Sequence, residues 1–156
     1  MNSVVVNAEE VPLPEWSDSL GGFAMKALDE INVSNWELSI LLCGNKTITA
    51  LNTRYRNMAE PTDVLSFNLG AEERHGGETV YLPGDIVISL ETLSENARYF
   101  KISEDEELRR LVIHGILHLN GMEHKTNDKE EPMLALQEEI LNRLKDARIF
   151  PGGGQQ

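Results

Sequence analysis

The sequence predicts one α/β (α+β) domain, a small mixed four-stranded sheet packed with about five helices, one of them central and rich in histidine. Three observations lead there. The chain has 156 residues, the usual size of a single domain and enough to bury roughly 70% of the surface its unfolded form exposes. Apolar residues alternate in some segments and recur every third or fourth residue in others, so strands and helices are interleaved. Three of the four histidines fall within eleven residues, on and just after a predicted helix that is otherwise strongly apolar.

The elements follow in order. Ser3 to Val6 reads as a short strand. Ser17 can cap a helix whose apolar face is Leu20, Phe23, Ala24, Ala27, Leu28 and Ile31. Trp36, Leu38, Ile40 and Leu42 alternate as a second strand, broken by Gly44-Asn45, and Ile48, Leu51 and Tyr55 mark a second helix closed before Pro61. Val64 to Phe67 and Asp85 to Ser89 read as strands, with the polar stretch Ala71 to Gly77 between them as a loop. Leu93, Ala97 and Phe100 form a third helix. Ser103 and Glu106 make a capping box that opens a fourth, ending at Asn120-Gly121. Pro132 suits the first turn of a fifth, with Leu134, Ile140, Leu141 and Leu144 inward. The domain is expected over residues 1–150. Residues 151–156, with nothing apolar to bury, are expected to be a disordered tail.

Composition narrows the function. Fourteen Lys and Arg against 26 Asp and Glu leave a net charge of −12, the wrong sign for a general nucleic-acid binder, and no DNA partner is expected. Between Glu37 and Glu60, however, there is no acid, while Lys46, Arg54 and Arg56 lie in that window. The lone Cys43 excludes an internal disulfide framework. No apolar run reaches an export signal or a membrane span, so a soluble cytoplasmic domain is expected.

The segment His114-Gly115-Ile116-Leu117-His118-Leu119-Asn120-Gly121-Met122-Glu123-His124 carries the chemistry. His114 and His118 are one helical turn apart on one face. Gly121 can take a positive φ and return the chain, bringing His124 to the same point. Leu108, Leu111, Val112, Ile116 and Leu119 mark the helix as buried, and buried imidazoles without partners would be costly. Three converging imidazoles leave one position for water, the pattern of a catalytic zinc, so one Zn²⁺ per chain is expected on His114, His118 and His124, although nickel or copper would also accept neutral imidazole. His75, in the polar stretch, reads as a surface residue. The spacing equals that of metzincin proteases, but those carry Glu after the first histidine as general base, and this chain has Gly115.

With these residues quoted, the chain resembles the YbeY family of bacterial rRNA-maturation endoribonucleases. The resemblance runs through Leu51-Asn52 to Arg56, Pro61-Thr62-Asp63-Val64-Leu65-Ser66-Phe67, Gly84-Asp85-Ile86-Val87-Ile88-Ser89, Glu107-Leu108 and the histidine segment. It departs at Met122-Glu123, where the family usually has Tyr-Asp, and at Asn68, where it usually has Pro. The resemblance implies a small mixed sheet, zinc on the three histidines, cleavage of single-stranded RNA, and a role in 16S rRNA 3′-end maturation and ribosome quality control. The partners so implied are rRNA and the small ribosomal subunit with its proteins. It also matches Arg56 to a functionally important arginine, and a planar guanidinium suits two phosphoryl oxygens at once. Asp63 and Asp85, at predicted strand starts, are equally turn or capping residues and stay outside the expected site. The alternatives are a metalloprotease-like or other phosphoester hydrolase, and a ribosome-associated binding module with a structural zinc.

Overall fold

A computed structural model describes residues 1–150, and the tail expected at 151–156 lies outside the described residues. The elements are β1 (Ser3–Ala8), α1 (Ser17–Glu30), β2 (Glu37–Cys43), α2 (Asn45–Arg56), β3 (Val64–His75), β4 (Glu78–Ser89), α3 (Leu90–Phe100), α4 (Glu104–Leu119) and α5 (Pro132–Arg143). The sheet order is β1-β2-β4-β3. β1, β2 and β4 are parallel, and β3 pairs antiparallel with β4 at the edge.

Alternation along the strands sorts the two faces. Leu38, Ile40, Leu42, Ile86 and Ile88 are fully buried in one core with α1, α4 and α5. Cys43, Leu65 and Val87 point the other way and pack with Ile48 of α2 in a smaller core. Burial pushes the Cys43 thiol up to about 12, so it stays a neutral apolar filler. The sheet thus carries α2 on one face and the histidine-bearing α4 on the other.

Both ends of α2 are fixed by its neighbours. Its N-cap is Gly44, which has no capping side chain. Glu10 accepts instead from the N–H groups of Gly44 (3.1 Å) and Thr47 (2.8 Å), and Glu91 from that of Asn45 (2.6 Å). Two carboxylates therefore satisfy the positive end of the helix. The helix terminates at Arg56, where Asn57 adopts a left-handed conformation.

α4 is anchored at its first turn by Asp105, which is fully buried. Asp105 accepts from Arg109 Nε (2.6 Å) and from the backbone N–H groups of Ile149 (2.9 Å) and Phe150 (2.8 Å), tying the end of the described chain to this helix. Further along, Gly115 lies directly on Ile86 of β4. A Cβ there would fall 2.8–2.9 Å from three Ile86 carbons. Alanine would gain about 1 kcal/mol of helix propensity, but overpacking a tight core costs about 1–3 kcal/mol. Gly115→Ala is therefore expected to be net destabilising. The check is its guanidinium unfolding midpoint, and a midpoint at or above wild type would mean that α4 has room to shift.

Three expectations need correcting. Ala71 to Gly77 is not a loop: β3 runs to His75, and β4 begins at Glu78 after the two-residue turn Gly76-Gly77, both with positive φ. This arm extends beyond the core, so its side chains are mostly exposed and lack the apolar alternation that marks a half-buried strand. The capping box is half made. Ser103 accepts from the Glu106 N–H, but the Glu106 carboxylate pairs with Arg110 instead. In α5 the inward residues are Met133, Gln137, Ile140 and Leu141, and Leu134 is only half-buried.

Candidate metal centre

α4 presents His114 and His118 from successive turns, and Gly121, at φ +90°, returns the chain so that His124 joins them. The nearest ring nitrogens of the three residues all lie within 4.8 Å of one another. His114 Nε2 and His118 Nε2 are 3.1 Å apart. All three rings are half-buried.

The partners on the far side of each ring fix which nitrogen is available. His118 Nδ1 faces the Met122 carbonyl at 3.1 Å, and His124 Nδ1 faces the Thr126 carbonyl at 2.8 Å. A carbonyl only accepts, so both Nδ1 atoms carry the proton. His114 Nδ1 faces Gln137 Oε1 at 2.6 Å. The orientation of that amide is settled by its other end, which donates to the Glu138 carboxylate at 3.1 Å. His114 Nδ1 is therefore also a donor.

All three Nε2 atoms are left as bare lone pairs, and one ring nitrogen from each histidine lies within 4.8 Å of the others. Desolvation by burial pushes the His114 and His118 pKa values down, which favours the neutral, ligand-competent rings. Two lone pairs 3.1 Å apart repel each other unless a cation lies between them. Ligands of a tetrahedral zinc at about 2.0–2.1 Å sit about 3.3–3.4 Å apart, so this pair already has nearly the right spacing. The donor set fits a metal ion.

The histidines open into a cavity of about 490 Å³, lined also by Arg56, Thr62, Asp63, Val64, Ser66, Asn68 and Glu123. Arg56 reaches it from the end of α2, donating to the Ser66 carbonyl at 3.3 Å. Arg56 thus shares a cavity with three histidines that follow it by 58 or more residues. Asp63 is in the wall and accepts from Asn96 at 3.1 Å. Asp85 is not: it lies within β4 opposite Phe67, on the other face of the sheet. His75 is on the hairpin arm with Glu73, far along β3 from the cavity.

The family model for endoribonuclease YbeY matches residues 5–145, nearly the whole described chain and every residue of the cavity. The chain belongs to the YbeY family. An endoribonuclease YbeY from Treponema denticola is 48% identical over 129 residues, covering 82% of this chain and 83% of the relative. Another, from Treponema pallidum, is 44% identical over 154 residues and covers 98% and 95%. A third, from Borreliella afzelii, is 46% identical over 131 residues, covering 82% and 85%. The solution structure of a Thermotoga maritima protein superposes with a TM-score of 0.61 at 26% identity, covering 98% of this chain and 99% of that one.

Within this YbeY-family chain, the position of Met122 has a simple physical role. It supplies a backbone carbonyl to His118, which any side chain there would leave in place. Glu123, beside it, is exposed at the cavity mouth. Sequence reasoning missed Gln137, the partner that fixes the His114 tautomer. The signal was present: Gln137 is a polar residue in the buried stripe Met133, Gln137, Ile140 and Leu141.

Proposed function

We propose that this chain is a cytoplasmic endoribonuclease, carrying one Zn²⁺ on His114, His118 and His124, that cuts single-stranded RNA. We assign it to 16S rRNA 3′-end maturation and ribosome quality control, with rRNA and the small ribosomal subunit as partners. One observation carries the reading: three oriented Nε2 lone pairs and the guanidinium of Arg56 line the same open cavity. Membership of a family whose relatives are named endoribonucleases supports the substrate class.

Bound at the three imidazoles, zinc would lower the pKa of water towards neutrality and offset developing negative charge. The chain's own residues do the rest. Gln137 and the Met122 and Thr126 carbonyls hold the rings in the ligand tautomer. Arg56 binds phosphoryl oxygens, where charge grows as the phosphodiester is attacked. Its bond to Ser66 holds the guanidinium at the cavity while most of its donors remain free for substrate.

A protease reading fails at position 115. Its Cβ direction runs into Ile86 of the sheet and away from the cavity, so a glutamate there could not act as base without lifting the helix. A purely structural metal is disfavoured because, among the described residues, the ligand group holds three imidazoles and no fourth Cys, Asp or Glu. Among the described residues, no helix is long and apolar enough to cross a membrane.

The test incubates the zinc-loaded protein with labelled single-stranded RNA, the matched duplex and unfolded casein. Cleavage of the single strand alone is expected, with strong salt dependence given the net charge of −12. Casein cleavage with RNA untouched would overturn the assignment. If neither is cut, even with ribosomal particles present, the binding-module reading replaces it.

A further inference from the structure

We propose that a second cavity, on the α2 face of the sheet, binds a nucleobase flanking the scissile phosphate, with Tyr55 and Phe67 taking its face and Asp85 its edge. The proposal rests on the RNA-cutting reading and deepens it. This cavity holds about 820 Å³, within the 300–1,000 Å³ typical of small-ligand sites. It is not separate from the metal centre, because Arg56, Ser66 and Asn68 line both cavities. The connection is geometric. α2 covers one face of the sheet and α4 the other, and β3 is the sheet edge between them. Arg56 lies across that edge on the Ser66 carbonyl. A strand whose phosphate rests on Arg56 at the histidines therefore continues around β3 into the second cavity.

The lining suits a base and not a phosphate. Leu41, Leu51 and Val87 make an apolar floor. Tyr55 and Phe67 form an edge-to-face pair with centroids 5.2 Å apart, and Tyr55 is 57% exposed although it is aromatic. Flat apolar faces with a polar rim are the features of a nucleobase, and any base can stack on an aromatic side chain because every base has a π-face. The acid here is Asp85, whose carboxylate is exposed and makes no hydrogen bond or ion pair among the described residues. A carboxylate only accepts. It repels phosphate and selects a base edge with adjacent N–H donors. Guanine presents two, at N1 and N2. Adenine and cytosine pair one amino group with an acceptor nitrogen, and uracil flanks its N–H with two carbonyls. The cavity therefore favours guanine. A duplex cannot use it, since a paired base has both its edge and its faces occupied, which gives the single-strand preference a physical cause.

The test compares steady-state kinetics on a guanine-containing single-stranded RNA and on the same RNA with inosine, which lacks the 2-amino group, at matched zinc content. Tyr55→Ala should raise KM roughly tenfold, and Tyr55→Phe should restore it to within about twofold, since the ring and not the hydroxyl stacks. Wild type should prefer guanine to inosine through KM, and Asp85→Asn should abolish that preference. An enzyme that cuts RNA with the same KM in Tyr55→Ala and Asp85→Asn would overturn the proposal and leave the cavity to a protein partner. If the wild type cuts no RNA, the underlying reading falls, and this proposal with it.

Discussion

His114→Ala and His118→Ala are each expected to release the metal and to abolish RNA cleavage. Loss of a partner that merely orients a ligand typically costs about 10–100-fold in metal affinity or activity, and these substitutions remove the ligand itself. Gln137→Ala provides the graded comparison. It deletes the oxygen that fixes the His114 tautomer at 2.6 Å, so it should weaken metal binding within that 10–100-fold range without abolishing it. Plasma emission on dialysed protein measures the metal, and labelled RNA measures cleavage. Full metal retention in both histidine variants would mean that the ion sits elsewhere. Chelation should also lower the melting temperature of the wild type. The neutral Nε2 atoms of His114 and His118 then face each other at 3.1 Å with nothing between them.

Arg56→Ala should keep both metal and fold yet lose about 10²–10³-fold in kcat, the usual cost of removing one preorganised charge-stabilising donor. The fold should tolerate the change, because Arg56 is exposed and its one internal bond among the described residues, to Ser66, is 3.3 Å long. The position of α2 is set from its other end by Glu10 and Glu91. A cation in the last turn of a helix contributes only about 0.3–1 kcal/mol through the dipole. Arg56→Lys should recover part of the loss, since an ammonium supplies charge but not two-point geometry. Equal kcat for wild type and Arg56→Ala at matched zinc would show that the phosphate is offset by another cation.

The residues that were legible in the sequence are those whose patterns answer to a core. Leu38, Ile40 and Leu42 alternate because one face of β2 meets the helices, and Leu108, Leu111, Val112, Ile116 and Leu119 recur because α4 is enclosed. The histidine spacing was legible for the same reason, since an i,i+4 pair on a helix has one geometric meaning. Segments without a core left no periodic trace. The outer half of the β3–β4 hairpin is held by backbone pairing from Ala71↔Leu82 to His75↔Glu78, and its polar side chains gave only Gly76-Gly77 as a hint. Contacts between distant segments were equally invisible. Nothing local ties Arg56 to His114, Asp105 to Phe150, or Asp85 to a cavity that turns the corner of β3. In the sequence alone, Gly115 shows only as a missing base. Its close approach to Ile86 gives the positive reason for a glycine there.

The clamp at Asp105 has a consequence for the order in which the molecule is made. All three imidazoles have been synthesised once His124 is joined, and the Met122 carbonyl that orients His118 is already in place, yet other groups that organise them come later. Gln137 follows by 13 residues, and the N–H groups of Ile149 and Phe150 that secure α4 follow by 25 and 26. At about 5–20 residues per second, the interval from His124 to Phe150 is roughly 1–5 s. A nascent chain arrested within that window carries every ligand but lacks the partner that sets the His114 tautomer, the clamp on its helix, or both. Completion of the centre is thereby tied to synthesis of the segment from Gln137 to Phe150, and a chain truncated ahead of Gln137 would keep the partners of His118 and His124 but lack the one that orients His114.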